Sequence, residues 1–256
     1  AGASKRGRTT WLTGAVDPRV VGICPIVIDV LNVEESMKHH FAAYGFWAPA
    51  VGNYVQHSIM QRLGDERLKG LYQMVDPYLY RHRLSIPKFV LNAAGDQFFL
   101  PDSSQFYWSE LSGPKALRYV PNTDHGMDGS DAIESIVAFY SLIQSGRNIP
   151  EFSWEVKDGA IQVHVVDEPD EVRLWRAVNP EARDFRLETL GPKYRSEQLK
   201  ESEPGLYVGP IVEPEQGFRW PIGMFGSVRS GLRLKQAGTE HFMSVRPKSC
   251  PPIPPS

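Results

Sequence analysis

Two glycines bracket a serine in the segment Gly2-Ala3-Ser4-Lys5-Arg6-Gly7, which limits the fold more than any other part of the sequence. Because glycine has no β-carbon, Gly2 and Gly7 would let a strand and a helix pack closely around a sharp turn at Ser4. A serine on such a turn is a candidate nucleophile, although a serine before a helix is more often an N-cap. The segment predicts a strand that ends at Ser4 and a helix over residues 6–16.

The composition is that of a globular protein without a strong charge preference. The 256 residues are 41% hydrophobic and carry a formal net charge of −2. Surfaces that bind nucleic acid need an excess of basic residues, so a nucleic-acid partner is not expected. No apolar run approaches the roughly 18 residues that cross a bilayer, so no membrane span is expected. The length suits one large or two medium domains.

Short apolar runs alternate with helical patterns over residues 1–148, which predicts an α/β fold with a parallel sheet flanked by helices. The predicted strands are 20–29, 88–93 and 116–120, and further helices are predicted at 102–111 and 131–144. The last helix carries one apolar face, formed by Ile133, Ile136, Val137, Tyr140 and Ile143. An aromatic helical region over about 34–82 is interpreted as a lid insertion, with helices at 34–44, 54–63 and 66–75.

Residues 149–256 have a different texture and predict a β-rich C-terminal domain. The runs 152–156 and 161–166 flank Asp158-Gly159, a strong hairpin signal. Further strands are predicted at 172–177 and 206–212, which together suggest a small antiparallel domain. The sequence ends in an irregular, proline-rich tail.

The residue types of serine-based catalysis occur in the order Ser4, Asp96, His125. A serine hydroxyl needs a base that takes its proton and an acid that orients the base. Asp96 and His125 each follow a predicted strand, as in the α/β-hydrolases, where the three groups lie after successive strands in this order. Residues 1–148 are therefore predicted to be the C-terminal part of an α/β-hydrolase fold. Asp124 is an alternative acid, but Asp96 is preferred because sequence neighbours rarely reach the required geometry.

Further residues are candidates for the same site. The backbone N–H of Lys5, at the start of a helix, is a candidate oxyanion donor, with a second donor expected from an earlier loop. Phe98 and Phe99 follow Asp96 and are candidate pocket residues. Trp47, in the predicted lid, is another, with the core of the lid as its alternative position.

Three polar residues are weaker candidates. His39 and His40 are adjacent on a predicted helix and would point in different directions, so a shared metal ion is not expected. Asp29 ends a predicted strand and is interpreted as structural, with a part in shaping the site as the alternative. No metal or organic cofactor is expected.

Several segments resemble the PhoPQ-activated pathogenicity-related protein family. They are the serine segment with Thr9-Thr10-Trp11-Leu12-Thr13, then Asn92-Ala93-Ala94-Gly95-Asp96-Gln97-Phe98-Phe99, Pro121-Asn122-Thr123-Asp124-His125, Leu174-Trp175-Arg176-Ala177 and Ala182-Arg183-Asp184-Phe185-Arg186. The resemblance covers roughly residues 1–220. It implies an α/β-hydrolase core with an appended β-domain, typically in exported or secreted proteins, without a defined substrate.

The resemblance also implies that an N-terminal part of the hydrolase sheet is absent from this sequence. With the serine, aspartate and histidine, it predicts a serine hydrolase that transfers an acyl group to water from a small ester or peptide. Two alternatives stay open: a secreted signalling or binding protein on a hydrolase scaffold, and an inactive gene fragment.

Overall fold

A four-stranded parallel sheet forms the centre of the computed structural model, which describes residues 1–211 and the backbone of residues 218–225. Its strands lie side by side in chain order as β1 (Gly2–Ala3), β2 (Pro25–Ile26), β3 (Lys88–Ala93) and β4 (Lys115–Val120). All three pairings are parallel, so the carboxyl ends of the strands meet at one edge. The mixed α/β class with a parallel sheet is confirmed.

Helices flank this sheet and fill the long segment between β2 and β3. The α-helices are α1 (Lys5–Val16), α2 (Val33–Tyr44), α3 (Gly52–Gln56), α4 (Glu66–Val75) and α5 (Ala132–Gln144). Shorter 3-10 helices occur at Pro49–Val51, Met60–Arg62, Pro77–Arg83 and Ser103–Phe106. None of the described helices is long and apolar enough to cross a membrane.

The strand predicted over residues 20–29 is much shorter in the structure. Only Pro25–Ile26 pair as a strand, with one isolated bridge from Ile23 to Lys88. Pro25 has no N–H to donate to a ladder, and Val27 has a φ of 43° that turns the backbone out of the extended conformation. Val27 and Ile28 are nevertheless buried, so the apolar run reports burial and not strand length.

Two predicted helices are also wrong in extent. Residues 102–111 form a single 3-10 turn at Ser103–Phe106, where the Gln105 side chain donates to the Asp102 carbonyl and competes with helical bonds. Residues 54–63 are interrupted because Ser58 has a φ of 54°, which no α-helix contains.

Helix α5 turns much of its predicted apolar face outward. Ile133, Val137 and Tyr140 are 67%, 57% and 60% exposed, although Ile136 and Ile143 pack against the core. The buried side instead carries Ala132, Ser135, Ala138, Phe139 and Leu142. The fully buried Arg118 of β4 donates to the Ser135 hydroxyl and the Asp131 carboxylate, which fixes the polar side of the helix start against the sheet.

The strand-rich part, described over residues 152–211 and 218–225, contains two antiparallel sheets in these ranges. Its elements are β5 (Phe152–Lys157), β6 (Ala160–Val165), β7 (Val172–Asn179), the short helix α6 (Leu187–Leu190), β8 (Arg195–Leu199), β9 (Glu201–Glu203), β10 (Leu206–Pro210) and β11 (Phe218–Phe225). One sheet has the order β5-β6-β10-β9 and the other β11-β7-β8. The predicted hairpin is present, with positive φ at Asp158 and Gly159.

The two antiparallel sheets share one apolar cluster. Ile161 and Val163 of β6 pack with Val172 and Leu174 of β7. The antiparallel β-region predicted from the sequence is therefore present. The proline-rich tail lies outside the described residues.

Candidate functional site

Ser4 lies at a strained turn between β1 and α1. Its φ of 55° and ψ of −123° are sparsely populated for a residue with a side chain. The Ser4 N–H donates to the Ile26 carbonyl at 2.8 Å, which fixes the turn against the neighbouring strand. A β-carbon on Gly2 would lie 2.6 Å from the Arg6 carbonyl oxygen, and one on Gly7 2.6 Å from Ile28. Both glycines are therefore required by close packing, as the sequence predicts.

The turn presents the Ser4 hydroxyl to His125. Ser4 Oγ lies 2.8 Å from His125 Nε2, and His125 Nδ1 lies 2.8 Å from Asp96 Oδ2. With the imidazole proton on Nδ1, the ring donates to the carboxylate and accepts from the serine. The three residues follow β1, β3 and β4, so one edge of the sheet brings them together from distant parts of the chain.

Asp96 is held on both of its oxygens. It is 3% exposed, and Oδ1 accepts from the N–H groups of Phe98 at 2.7 Å and Phe99 at 3.3 Å. Burial raises the pKa of Asp96 above its ordinary value, while the bond from His125 and those from the two amides oppose the rise. The amides leave Oδ2 directed at the imidazole.

The neighbouring Asp124 has a different partner. Its Oδ1 accepts from the Gly126 N–H at 2.8 Å, which closes a local turn. The His125 N–H in turn donates to Gln97 Oε1 at 3.1 Å, tying the histidine loop to the loop of Asp96. Of the two candidate acids, the structure pairs Asp96 with His125.

Of the remaining candidates, Lys5, Phe98 and Phe99 adjoin the Ser4, His125 and Asp96 residues, and Trp47 has other neighbours. Lys5 is the first residue of α1, so its N–H has no carbonyl partner within the helix. The ring of Phe98 lies 4.4 Å from the His125 ring and that of Phe99 6.1 Å away. Trp47 stacks instead on His40 at 5.7 Å, within the helical segment, and its place in a pocket stays a prediction.

The structure contains a second histidine–aspartate pair that the sequence did not predict. His39 Nε2 lies 2.7 Å from Asp102 Oδ2, and the Arg183 guanidinium lies 2.6 Å from the same oxygen. Asp102 is fully buried. Arg183 lies in one of the segments that resemble the family, Ala182 to Arg186, but nothing in the sequence connects this segment to Asp102.

His40 and Asp29 are buried polar residues with separate partners. His40 Nε2 accepts from the Ala48 N–H at 3.1 Å, and burial lowers the pKa of His40 to about 4. Asp29 accepts from the hydroxyls of Tyr107 and Tyr119, and burial raises its pKa to about 7 despite these bonds. Within residues 1–211 and 218–225, no cluster of His, Cys, Asp and Glu could hold a metal ion.

Together the fold and the site define a mixed α/β protein whose parallel strands bring a serine, a histidine and an aspartate into hydrogen-bond contact. The sequence model of the PhoPQ-activated pathogenicity-related protein family matches residues 1–186, so the chain belongs to that family. It is also similar to autocrine proliferation repressor protein A of Dictyostelium discoideum, with 37% identity over 242 residues. That match covers 86% of this chain and 49% of the relative, so the chain spans about half the length of the relative.

Proposed function

We propose that this protein is a serine hydrolase of the α/β-hydrolase fold. The observation that carries the proposal is the continuous chain of hydrogen bonds from Ser4 through His125 to Asp96, with 2.8 Å at both steps. The positive φ of Ser4 and the chain order Ser, Asp, His are both typical of that fold. The proposed reaction is transfer of an acyl group to water.

In the proposed mechanism Ser4 Oγ attacks the carbonyl carbon of an ester or peptide, and His125 Nε2 takes the hydroxyl proton. Asp96 keeps the Nδ1 proton in place and stabilises the imidazolium that forms. The Lys5 N–H donates to the oxyanion at the start of α1, where the helix dipole favours negative charge. His125 then gives its proton to the leaving alcohol or amine, and a water deprotonated by the same nitrogen releases the acyl group.

The surroundings support a small ester or peptide as the substrate. Phe98 and Phe99 place apolar surface beside His125, where an acyl or side-chain group of a substrate would lie. Trp47 is proposed as a third pocket residue on the lid side. Export from the cell stays a prediction that rests on the family resemblance.

A fluorophosphonate probe tests the proposal, because Ser4 Oγ would displace fluoride and form a stable phosphonate ester. We expect stoichiometric labelling of the protein and no labelling of the Ser4→Ala variant. Ser141→Ala is the matched control, since Ser141 lies on α5 and its hydroxyl donates to the Val137 carbonyl. Labelling that persists in Ser4→Ala would contradict the proposal.

A second candidate is a signalling or binding protein that keeps a hydrolase scaffold. It is favoured by the similarity to the Dictyostelium protein, which is named a proliferation repressor. Absence of labelling in protein that unfolds cooperatively would favour this candidate.

A further inference from the structure

The connection between β7 and β8 crosses from the strand-rich part to the loops that carry Asp96 and His125. At its centre the Leu187 N–H donates to the Gly95 carbonyl at 3.0 Å. The Gly95 N–H donates in turn to the Thr123 carbonyl at 3.0 Å. Gly95 immediately precedes Asp96, and Thr123 lies two residues before His125, so one short path of backbone bonds joins all three segments.

A second clamp joins the same connection to the histidine loop. Asn122 Nδ2 donates to the Tyr194 carbonyl at 3.1 Å, and the Tyr194 N–H donates to Asn122 Oδ1 at 2.9 Å. The φ of Asn122 is 56°, a left-handed conformation that asparagine tolerates better than most residues. Tyr194 is only 2% exposed and Asn122 is half-buried, so the two bonds are partly buried.

The contact at Gly95 is too close for a larger residue. A β-carbon there would lie 2.9 Å from the backbone nitrogen and the β-carbon of Leu187, and 2.9 Å from the Thr123 carbonyl oxygen. The φ of Gly95 lies outside the left-handed region, so its requirement for glycine is a matter of space and not of backbone conformation.

The connection is held by its own hydrogen bonds just before Leu187. Asn179 Nδ2 donates to the Asp184 carbonyl at 2.7 Å. The Arg186 guanidinium makes two bonds to the Asp184 carboxylate, at 2.9 and 2.5 Å, and all three residues are buried. A loop fixed in this way can hold the loops it touches, because its own conformations are few.

We propose that residues 184–194 are a positioning element that sets the distance between Asp96 and His125. The inference rests on the proposed function, since it assigns a purpose to the same site. Leu187 and Tyr194 act through Gly95 and Asn122 and do not touch the reacting atoms. A displacement of about 1 Å in such a site costs on the order of 100-fold in rate, so small movements of either loop would be measurable.

Gly95→Ala is the sharpest test. We expect the rate of fluorophosphonate labelling to fall about 100-fold, while the protein still unfolds cooperatively. Because the imidazolium loses part of its carboxylate partner, the pH at which labelling is half-maximal should also fall. Gly70→Ala is the matched control, because a β-carbon on Gly70 of α4 would meet nothing within 4 Å.

Asn122→Gly tests the second clamp independently. Glycine keeps the positive φ but removes both side-chain bonds, and we expect labelling to slow about tenfold with the same direction of pH change. If Gly95→Ala and Asn122→Gly both label as fast as the unaltered protein with the same pH profile, the positioning element is overturned.

A readout that does not need activity separates this proposal from the proposed function. The His125 Nδ1 proton, bonded to a carboxylate, should give a far-downfield proton resonance that shifts or broadens in Gly95→Ala and not in Gly70→Ala. If the unaltered protein is not labelled but this resonance responds as stated, the positioning holds and the hydrolase proposal fails. If labelling occurs and the resonance is indifferent to Gly95→Ala, the positioning fails and the hydrolase proposal stands.

Discussion

Two histidine–aspartate pairs with nearly the same separation lie in different surroundings in this protein. His125 and Asp96 are 2.8 Å apart, and His39 and Asp102 are 2.7 Å apart. The ring nitrogen in contact differs: Nδ1 in the first pair and Nε2 in the second. Only the first pair leaves Nε2 free to meet a serine, and Ser4 provides that hydroxyl from the turn after β1.

The two carboxylates also differ in the charge of their other hydrogen-bond partners. Asp96 is held by the neutral amides of Phe98 and Phe99, so its charge is available to the imidazole. Asp102 shares one oxygen between His39 and the Arg183 guanidinium. A buried carboxylate already neutralised by a cation stabilises an imidazolium less. The comparison teaches that close approach of histidine and aspartate does not by itself define a catalytic pair.

Replacing each histidine by alanine in turn should give the largest difference in labelling rate between the two pairs. We expect His125→Ala to slow fluorophosphonate labelling by about 10⁴-fold, because Ser4 would lose its proposed base. His39→Ala should label within about threefold of the unaltered protein, since His39 contacts Asp102 and is not bonded to Ser4, His125 or Asp96. Labelling rates measured on both variants check this, and equal losses would break the comparison.

Neutralising the two aspartates should give a smaller contrast. Asp96→Asn should slow labelling by about 10³-fold, because an amide no longer selects the imidazole tautomer that accepts from serine. Asp102→Asn should slow it less than about tenfold but lower the free energy of unfolding by about 2 kcal/mol, since a partly buried guanidinium loses its carboxylate. Labelling kinetics and urea unfolding on both variants provide the measurement. Equal effects on stability with no difference in labelling would contradict the assignment of Asp96.

Asp29 senses the carboxylates of both pairs, and we expect its replacement to have the smallest effect on labelling. Burial raises the pKa of Asp29 to about 7, and the charges of Asp102 and Asp96 add to the rise. The folded protein therefore binds the Asp29 proton more tightly than the unfolded chain, where the ordinary value is 3.8. The resulting stability is present at low pH and is lost as the pH rises through about 7.

Asp29→Asn removes this titration. The stability of the variant should therefore increase relative to that of the unaltered protein as the pH rises. We expect the difference in free energy of unfolding to change by about 2 kcal/mol or more between about pH 4 and pH 8. Urea unfolding of both proteins at the two pH values measures the difference. A difference that does not vary with pH would mean that Asp29 ionises normally in the folded protein.

The serine, aspartate and histidine could be predicted from the sequence because their placement follows from strand order alone. Asp96 and His125 follow two predicted apolar strands, and the glycines around Ser4 indicate a third strand that ends there. The residues that follow parallel strands share one edge of the sheet. The β3 strand, Lys88–Ala93, has the predicted bounds, and the hairpin turn at Asp158 and Gly159 is also as predicted. Each of these features depends on a local pattern or on chain order.

The features that sequence reasoning missed depend on long-range contacts. Asp102 and Arg183 are 81 residues apart, and no periodicity links them. On the buried face of α5, Ser135 bonds to Arg118, a buried charged residue that a hydrophobic pattern treats as exposed. The loop clamp of Asn122 and Tyr194 spans 72 residues and uses backbone groups, which the sequence does not distinguish.

The contacts of Leu187 and Tyr194 with the two loops also have a consequence in time. Synthesis proceeds at about 5 to 20 residues per second, so the roughly 190 residues between Ser4 and Tyr194 correspond to about 10 to 40 s on the ribosome. During that interval the strained turn and its neighbouring strands can form, but the clamp from residues 184–194 does not yet exist. The order of the chain therefore delays the contacts of Leu187 and Tyr194 with the two loops until most of the described residues have been synthesised.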